Sequence, residues 1–207
     1  MGVVAAILAG GLLFAAFVIG LRWNARLLRE RPHYAVERAE PPFQIRRYPR
    51  LWAAEVRRDG GRLEAVKQGF LPLEDYVSGR ERPGRKMAMT APVLQEASPE
   101  GSWKIRCLMS PKLAREEIPE PRRDDVRLVE LPERIVAAVR FSGSAGDPRF
   151  ETKVTDLETW ATQQGYAPKG PVTFAYYDAP FMPPVLRRNE ILLELDPSSR
   201  DEGVRAD

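Results

Sequence analysis

Two hydrophobic rhythms divide the chain. Gly2 to Leu21 is a run of twenty residues without a charge, rich in Ala, Leu, Val, Ile and Phe. Coiled as a helix rising 1.5 Å per residue, such a run reaches about 30 Å, the hydrocarbon thickness of a bilayer. The pattern predicts a transmembrane anchor over residues 1–22. A cleavable signal peptide is the competing reading, but no Lys or Arg precedes the run and no small-x-small cleavage pattern follows it. After Pro32 the rhythm changes to alternation: Tyr34 and Val36, then Phe43 and Ile45 beyond the breaker Pro41-Pro42, then Leu51 to Arg58. Alternating positions put apolar groups on one face of short strands. Asp59-Gly60-Gly61 closes this stretch with turn chemistry.

A spacing of three and four takes over at Leu63, Val66, Phe70, Leu73 and Val77, which predicts a helix burying that face and ending at Gly79. Pro72 removes one backbone donor and crowds the preceding turn, so a kink or break is expected near Gly69 to Leu71. Met89 to Gln95 and Trp103 to Met109 read as strands around a polar turn. Pro111 to Asp125, rich in proline and charge, reads as a surface connection between two halves. Val126 to Leu131 and Ile135 to Ser142 are the next strands, the second nearly continuous in apolar residues and therefore central. Asp147-Pro148 starts a second helix with the stripe Phe150, Val154, Leu157 and Ala161, ended by Gly165. Val172 to Tyr177 and Asn189 to Leu195 close the pattern. The charged residues 197–207 predict a disordered tail.

Strands, a helix and two strands therefore occur twice. This is an α+β plan in which an antiparallel sheet carries both helices, over residues 34–196 as one domain. Residues 23–33 form a basic juxtamembrane linker: together with Arg22 just before them, Arg26, Arg29 and Arg31 stand against Glu30 alone. The positive-inside tendency favours the cytoplasmic side for the domain, and Trp23 suits the interfacial belt.

Composition excludes several functions. The 32 Lys and Arg against 29 Asp and Glu leave a net charge of +3 with both signs interspersed, so no basic face points to nucleic acid. A single cysteine, Cys107, rules out an internal disulfide, and its place in an alternating apolar strand marks it as a core thiol. The one histidine, His33, lies in the linker beside Pro32. Acid-base and nucleophilic mechanisms need a base beside a nucleophile, and no such pairing is visible. Nor is there a Cys/His cluster for zinc or a phosphate-cradling glycine loop. The chain reads as a non-enzymatic binding protein, with no catalytic or metal residues to name.

The octapeptide Lys86-Met87-Ala88-Met89-Thr90-Ala91-Pro92-Val93 places two thioethers on one face of an extended segment, where they complete a core or line a cavity. It resembles the K-I-A-M-T-A-P-V signature of the SOUL haem-binding family. Three further landmarks of that family follow in order: Phe141-Ser142-Gly143, Tyr177-Asp178-Ala179-Pro180-Phe181-Met182-Pro183-Pro184, and Arg187-Arg188-Asn189-Glu190-Ile191-Leu192. The resemblance spans roughly Tyr34 to Leu195. It implies a distorted antiparallel β-barrel with two flanking helices and a non-covalently bound haem or related tetrapyrrole between the first helix and the loop before the last strand.

Carried onto this sequence, that site implicates Leu71, Leu73 and Val77 on one side and Phe181, Met182 and Pro183 on the other, with Arg187 or Arg188 near a propionate. Leu73 and Val77 also belong to the stripe expected to face the sheet, so core is their competing role. Arg187 and Arg188 alternatively hold the loop to Asp178 or Glu190. Where some family members carry basic side chains, this chain has Pro72, Glu74 and Met182. The expected function is tetrapyrrole buffering or delivery beside a bilayer. The alternative is an effector-sensing or protein-interaction module of the same fold without haem.

Overall fold

A computed structural model describes residues 30–81, 86–144, 146, 148–178 and 182–199. The expected membrane anchor over 1–22, the cap Asp147, the loop residue Phe181 and nearly all of the tail lie outside them. Among the described residues no helix is long and apolar enough to cross a membrane.

The first half of the domain contains β1 (Ala35–Glu40), β2 (Phe43–Tyr48), β3 (Leu51–Arg58), α1 (Arg62–Ser78), β4 (Val93–Ala97) and β5 (Trp103–Leu108). The second contains β6 (Arg127–Leu131), β7 (Arg134–Ser142), α2 (Arg149–Gln163), a two-residue β8 (Ala167–Pro168), β9 (Thr173–Tyr176) and β10 (Arg188–Asp196). The strands form one antiparallel sheet in the order β1-β2-β7-β10-β9-β4-β5-β3-β6, with β8 added beside β10. Its ends, β1 and β6, do not pair, so the sheet is open and the barrel expected from the resemblance is not closed.

The duplication is plain in this order. β3-β5-β4 and β7-β10-β9 are equivalent triplets, joined where β4 meets β9 through Val93↔Tyr176 and Gln95↔Phe174. Each half lends a strand to the other: β2 pairs with β7 and β6 pairs with β3. That exchange draws the two wings of the sheet together around one shared core, in which Tyr48 and Val136 pack with Ala53, Leu108 and Leu131.

Both helices lie on the opposite face. α1 covers Ala54, Val56, Ile105 and Cys107, and α2 covers Ala137, Val139, Ile191 and Leu193. Tyr176 packs against the α2 core and Val93 against the α1 core, and these two residues are direct cross-strand partners, whose side chains share one face of a sheet.

Three expectations are corrected by this architecture. First, α1 runs unbroken from Arg62 to Ser78 with Pro72 buried inside it, and stops at Gly79 in the left-handed region. One lost backbone donor is outweighed by the burial of Leu73, Tyr76 and Val77 beside it. Second, the sheet-facing stripe of α1 is Ala65, Gly69, Leu73, Tyr76 and Val77, while Leu63 and Phe70 point outward. Small residues win because the helix lies so close to β5 that a Cβ on Gly69 would stand 3.0 Å from the Ile105 side chain. Third, β4 begins at Val93 and not at Met89. Pro92 has no donor for a ladder, and Thr90 instead gives its hydroxyl to the Leu108 carbonyl while forming an isolated parallel bridge with Glu30.

Met87 lies in the α1 core, and Met89 packs against it with its sulfur 3.8 Å from Cys107 Sγ. Cys107 is buried, as a core thiol should be. The connection between the halves is less superficial than its composition suggests. Ile118 and Val126 join the core beneath α1, and the Tyr76 hydroxyl donates to the Pro119 carbonyl.

Candidate functional site

Two apolar stripes run along α1, and only one is used by the fold. The outward stripe carries Leu63, Lys67, Phe70 and Leu71, spaced by four, three and one, so that they form a continuous patch over two turns. Leu71 is 61% exposed, and Leu63 and Phe70 are more than a third exposed. Lys67 sits in the middle of the patch, exposed, and among the described residues no carboxylate pairs with it. Leu71, one of the expected site residues, is open to solvent. Leu73 and Val77, expected beside it, are 1% and 2% exposed and belong to the core under the helix. A ligand reaches them only if α1 lifts off the sheet.

The other expected wall is the turn before β10. Pro184–Leu186 forms a short 3-10 turn with Pro183 as its cap, and Val185 and Leu186 stand 78% and 41% exposed. Pro183 is exposed and Met182 half-buried. Arg187 Nε donates to the Met182 carbonyl at 2.6 Å, and the Arg188 backbone N–H donates to Asp178 at 2.7 Å. Arg188 therefore holds the loop to Asp178, one of the two roles the sequence allows it, and Arg187 braces the loop through a backbone carbonyl instead of a carboxylate. Val185, Leu186, Phe70 and Lys67 escape a reading of the sequence as site residues. A hydrophobic helix position reads as core until the partner surface is known.

The groove between the two helices is not open. The Arg62 guanidinium lies over the rings of Phe150 and Phe174 at 4.8 and 4.5 Å and donates to the Tyr176 hydroxyl at 2.9 Å. Tyr176 in turn donates to Gln95 Oε1 at 3.0 Å, and Gln95 Nε2 donates to the Arg62 carbonyl at 2.7 Å. A half-buried cation between aromatic faces is held by attraction to the rings as well as by these bonds. A cleft of about 290 Å³ lies elsewhere, between Glu37, Arg38, Ile45, Gln164 and Tyr166. That is at the small end for a ligand cavity. The outward stripe of α1 is therefore an open surface.

On the face without helices sits a buried carboxylate. Glu190 of β10 is fully buried and receives Arg46 through two guanidinium nitrogens at 2.7 and 3.1 Å, Arg140 at 2.9 Å and the Tyr177 hydroxyl at 2.8 Å. Arg46 also lies 4.5 Å over the Tyr34 ring. Burial opposes the charge on Glu190, but Arg46, Tyr177 and Arg140 outweigh it and hold the carboxyl below its ordinary range. Burial, reinforced by the Glu190 charge, pushes the Tyr177 phenol well above its own. Neither group titrates near neutrality, so the cluster joins β2, β7, β9 and β10 without offering an acid or a base. Among the described residues no group of three His, Cys, Asp or Glu is placed to hold a metal, and His33 is exposed.

A tetrapyrrole asks for flat apolar contact, cations near its carboxylates and, optionally, an axial ligand. The outward stripe supplies the first with Leu63, Phe70 and Leu71 and the second with Lys67. It contains no His or Cys, so apolar contact carries the fit.

Among solved structures, the C-terminal domain of EcmrR matches at 12% identity with a TM-score of 0.57, covering 79% of this chain and 98% of that one. EcmrR in its DNA complex matches at 13% and 0.56 over 74% of this chain, which spans only 57% of that longer one. A hydrolase from Listeria innocua matches at 13% and 0.52, covering 73% and 91%. At these identities the likeness is one of fold. No curated relative matches. The sequence model of the SOUL heme-binding protein family matches residues 29–194, which takes in both helices and the sheet almost to the end of β10. The chain belongs to the SOUL haem-binding family.

Proposed function

We propose that this domain binds haem or a related tetrapyrrole reversibly, without covalent attachment and without catalysing a reaction, and that it buffers or delivers the ligand beside a membrane to which residues 2–21 hold it. One observation carries the binding reading. A haem-binding fold leaves Leu71 mostly exposed and Leu63 and Phe70 more than a third exposed around Lys67, which pairs with no carboxylate among the described residues, although the same helix has a second face adequate for packing. Exposed apolar groups clustered on one side of a helix mark a contact surface.

Propionates favour Lys67, and the macrocycle favours the three apolar side chains. The patch is shallow, so it covers one face of a flat ligand and releases it readily. Haemin added to the full-length chain in detergent, with protein-free detergent as the blank, is expected to give a saturable one-to-one change in the Soret band. A dissociation constant near micromolar is expected, about −8 kcal/mol. A response that grows linearly without saturation overturns the reading.

A further inference from the structure

The last residues of the linker, from Glu30 onward, are docked at one end of the sheet. Glu30, the first described residue, accepts from the Ala91 backbone N–H at 2.9 Å and pairs through its carboxylate with Lys112 at 2.8 Å. The Arg31 guanidinium lies 6.0 Å from the centre of the Tyr177 ring, and Tyr34 packs against Tyr48 with ring centres 5.0 Å apart. Residues 30–34 are therefore a strap held along its length.

Eight residues, 22–29, separate this strap from the end of the apolar run at Leu21. Fully extended, the nine steps from Leu21 to Glu30 span at most about 32 Å. If Gly2 to Leu21 lies in a bilayer, this tether keeps Glu30 within about 30 Å of its surface and favours the end of the sheet that holds Glu30 as the end facing it.

The same end carries the exposed turn before β10. Tyr177, under Arg31, is the residue after β9, and its backbone N–H donates to the carbonyl of Arg188 at the start of β10. The turn bearing Val185 and Leu186 closes this pair of strands. Its backbone is stiffened by Pro183 and Pro184 and braced by Arg187, so it presents apolar side chains with little entropy left to lose. Aliphatic groups at the tip of a rigid turn, with Arg31 and Lys112 at the same end of the sheet, have the composition that enters a headgroup layer.

We propose that the Met182–Arg187 turn rests in the lipid interface, with Val185 and Leu186 inserted, so that the domain lies on the bilayer in one orientation. This rests on the reading of residues 2–21 as a membrane anchor. It adds a second contact that brings the ligand-binding domain against the phase in which an amphipathic ligand dissolves.

The test uses the full-length chain reconstituted into vesicles of phosphatidylcholine and phosphatidylglycerol. Val185→Cys and Glu100→Cys are each labelled with an environment-sensitive fluorophore. Glu100 is exposed in the turn at the opposite end of β4 and β5, and the buried Cys107 of the parent chain stays unlabelled and serves as the blank. The label at 185 is expected to shift to the blue, to be quenched several-fold more by lipid carrying a nitroxide near the headgroup, and to be shielded from iodide. The label at 100 is expected to show none of this. Equal iodide quenching at both positions, in protein that floats with the vesicles, overturns the proposal and leaves the anchor standing. Protein that fails to float after an alkaline wash overturns the anchor, and the proposal with it.

Discussion

Replacing Glu190 with Ala is expected to destabilise the domain by about 3 to 5 kcal/mol. The reason is not the attraction that is lost but the charge that is stranded. Arg46 is 1% exposed and gives two hydrogen bonds to Glu190, so without that carboxylate a guanidinium stays buried with no counter-ion. The converse follows from the same physics: replacing both partners, as in Arg46→Met with Glu190→Leu, restores most of the loss, because the desolvation cost of both charges disappears. Urea unfolding of the two variants measures the difference, and a Glu190→Ala penalty below about 1 kcal/mol shows that water reaches the cluster.

The same carboxylate sets an acid limit. Its pKa in the fold lies below its unfolded value, so the stability it contributes is fully present above the unfolded pKa, about 4.3. That contribution is lost as the pH falls through the folded pKa. Glu55, buried with Arg106 and Arg127, adds a contribution of the same sign. Stability of the parent chain should therefore fall steeply below about pH 4, and Glu190→Gln should flatten that fall while lowering the plateau at neutral pH.

Much of the architecture was legible because it is locally encoded. Alternation marked the strands, Gly79 and Gly165 marked the helix ends, and the element order showed the duplication. Pairings between distant segments were not legible. The exchange of β2 and β6 between halves and the Arg46–Glu190 pair, 144 residues apart, leave no local trace. The first helix misled for a related reason. It has large apolar residues on one side and small ones on the other, and hydrophobicity alone favours the large set. Only the closeness of Ile105 reveals that the sheet requires Ala65 and Gly69. The exposed stripe, and with it Phe70 and Lys67, becomes visible once that choice is known. The resemblance named Leu71, Leu73 and Val77 together, but only Leu71 is exposed, while Leu73 and Val77 lie under the helix.

Phe70→Asp with Leu71→Asp should weaken tetrapyrrole binding by about 30- to 100-fold, equivalent to about 2 to 3 kcal/mol for two side chains made unable to contact the macrocycle. Leu71 is mostly exposed and Phe70 partly so, and the loss of stability should stay within about 1 to 2 kcal/mol, well short of unfolding the domain. Lys67→Glu should cost less, about two- to fivefold, since an exposed ion pair is worth about 1 kcal/mol at most. Variants that bind normally place the ligand elsewhere on the fold.

The most direct measurement compares haemin with iron-free protoporphyrin IX on the full-length chain, by Soret absorbance for one and fluorescence for the other. A surface that holds the macrocycle by apolar contact and a lysine, with no His or Cys in reach, binds both with dissociation constants within about tenfold of each other, or about 1.4 kcal/mol. Haemin bound a hundredfold or more tighter, by about 2.7 kcal/mol, with the spectrum of an axially ligated iron, would contradict that picture and place the ligand against an iron-binding side chain.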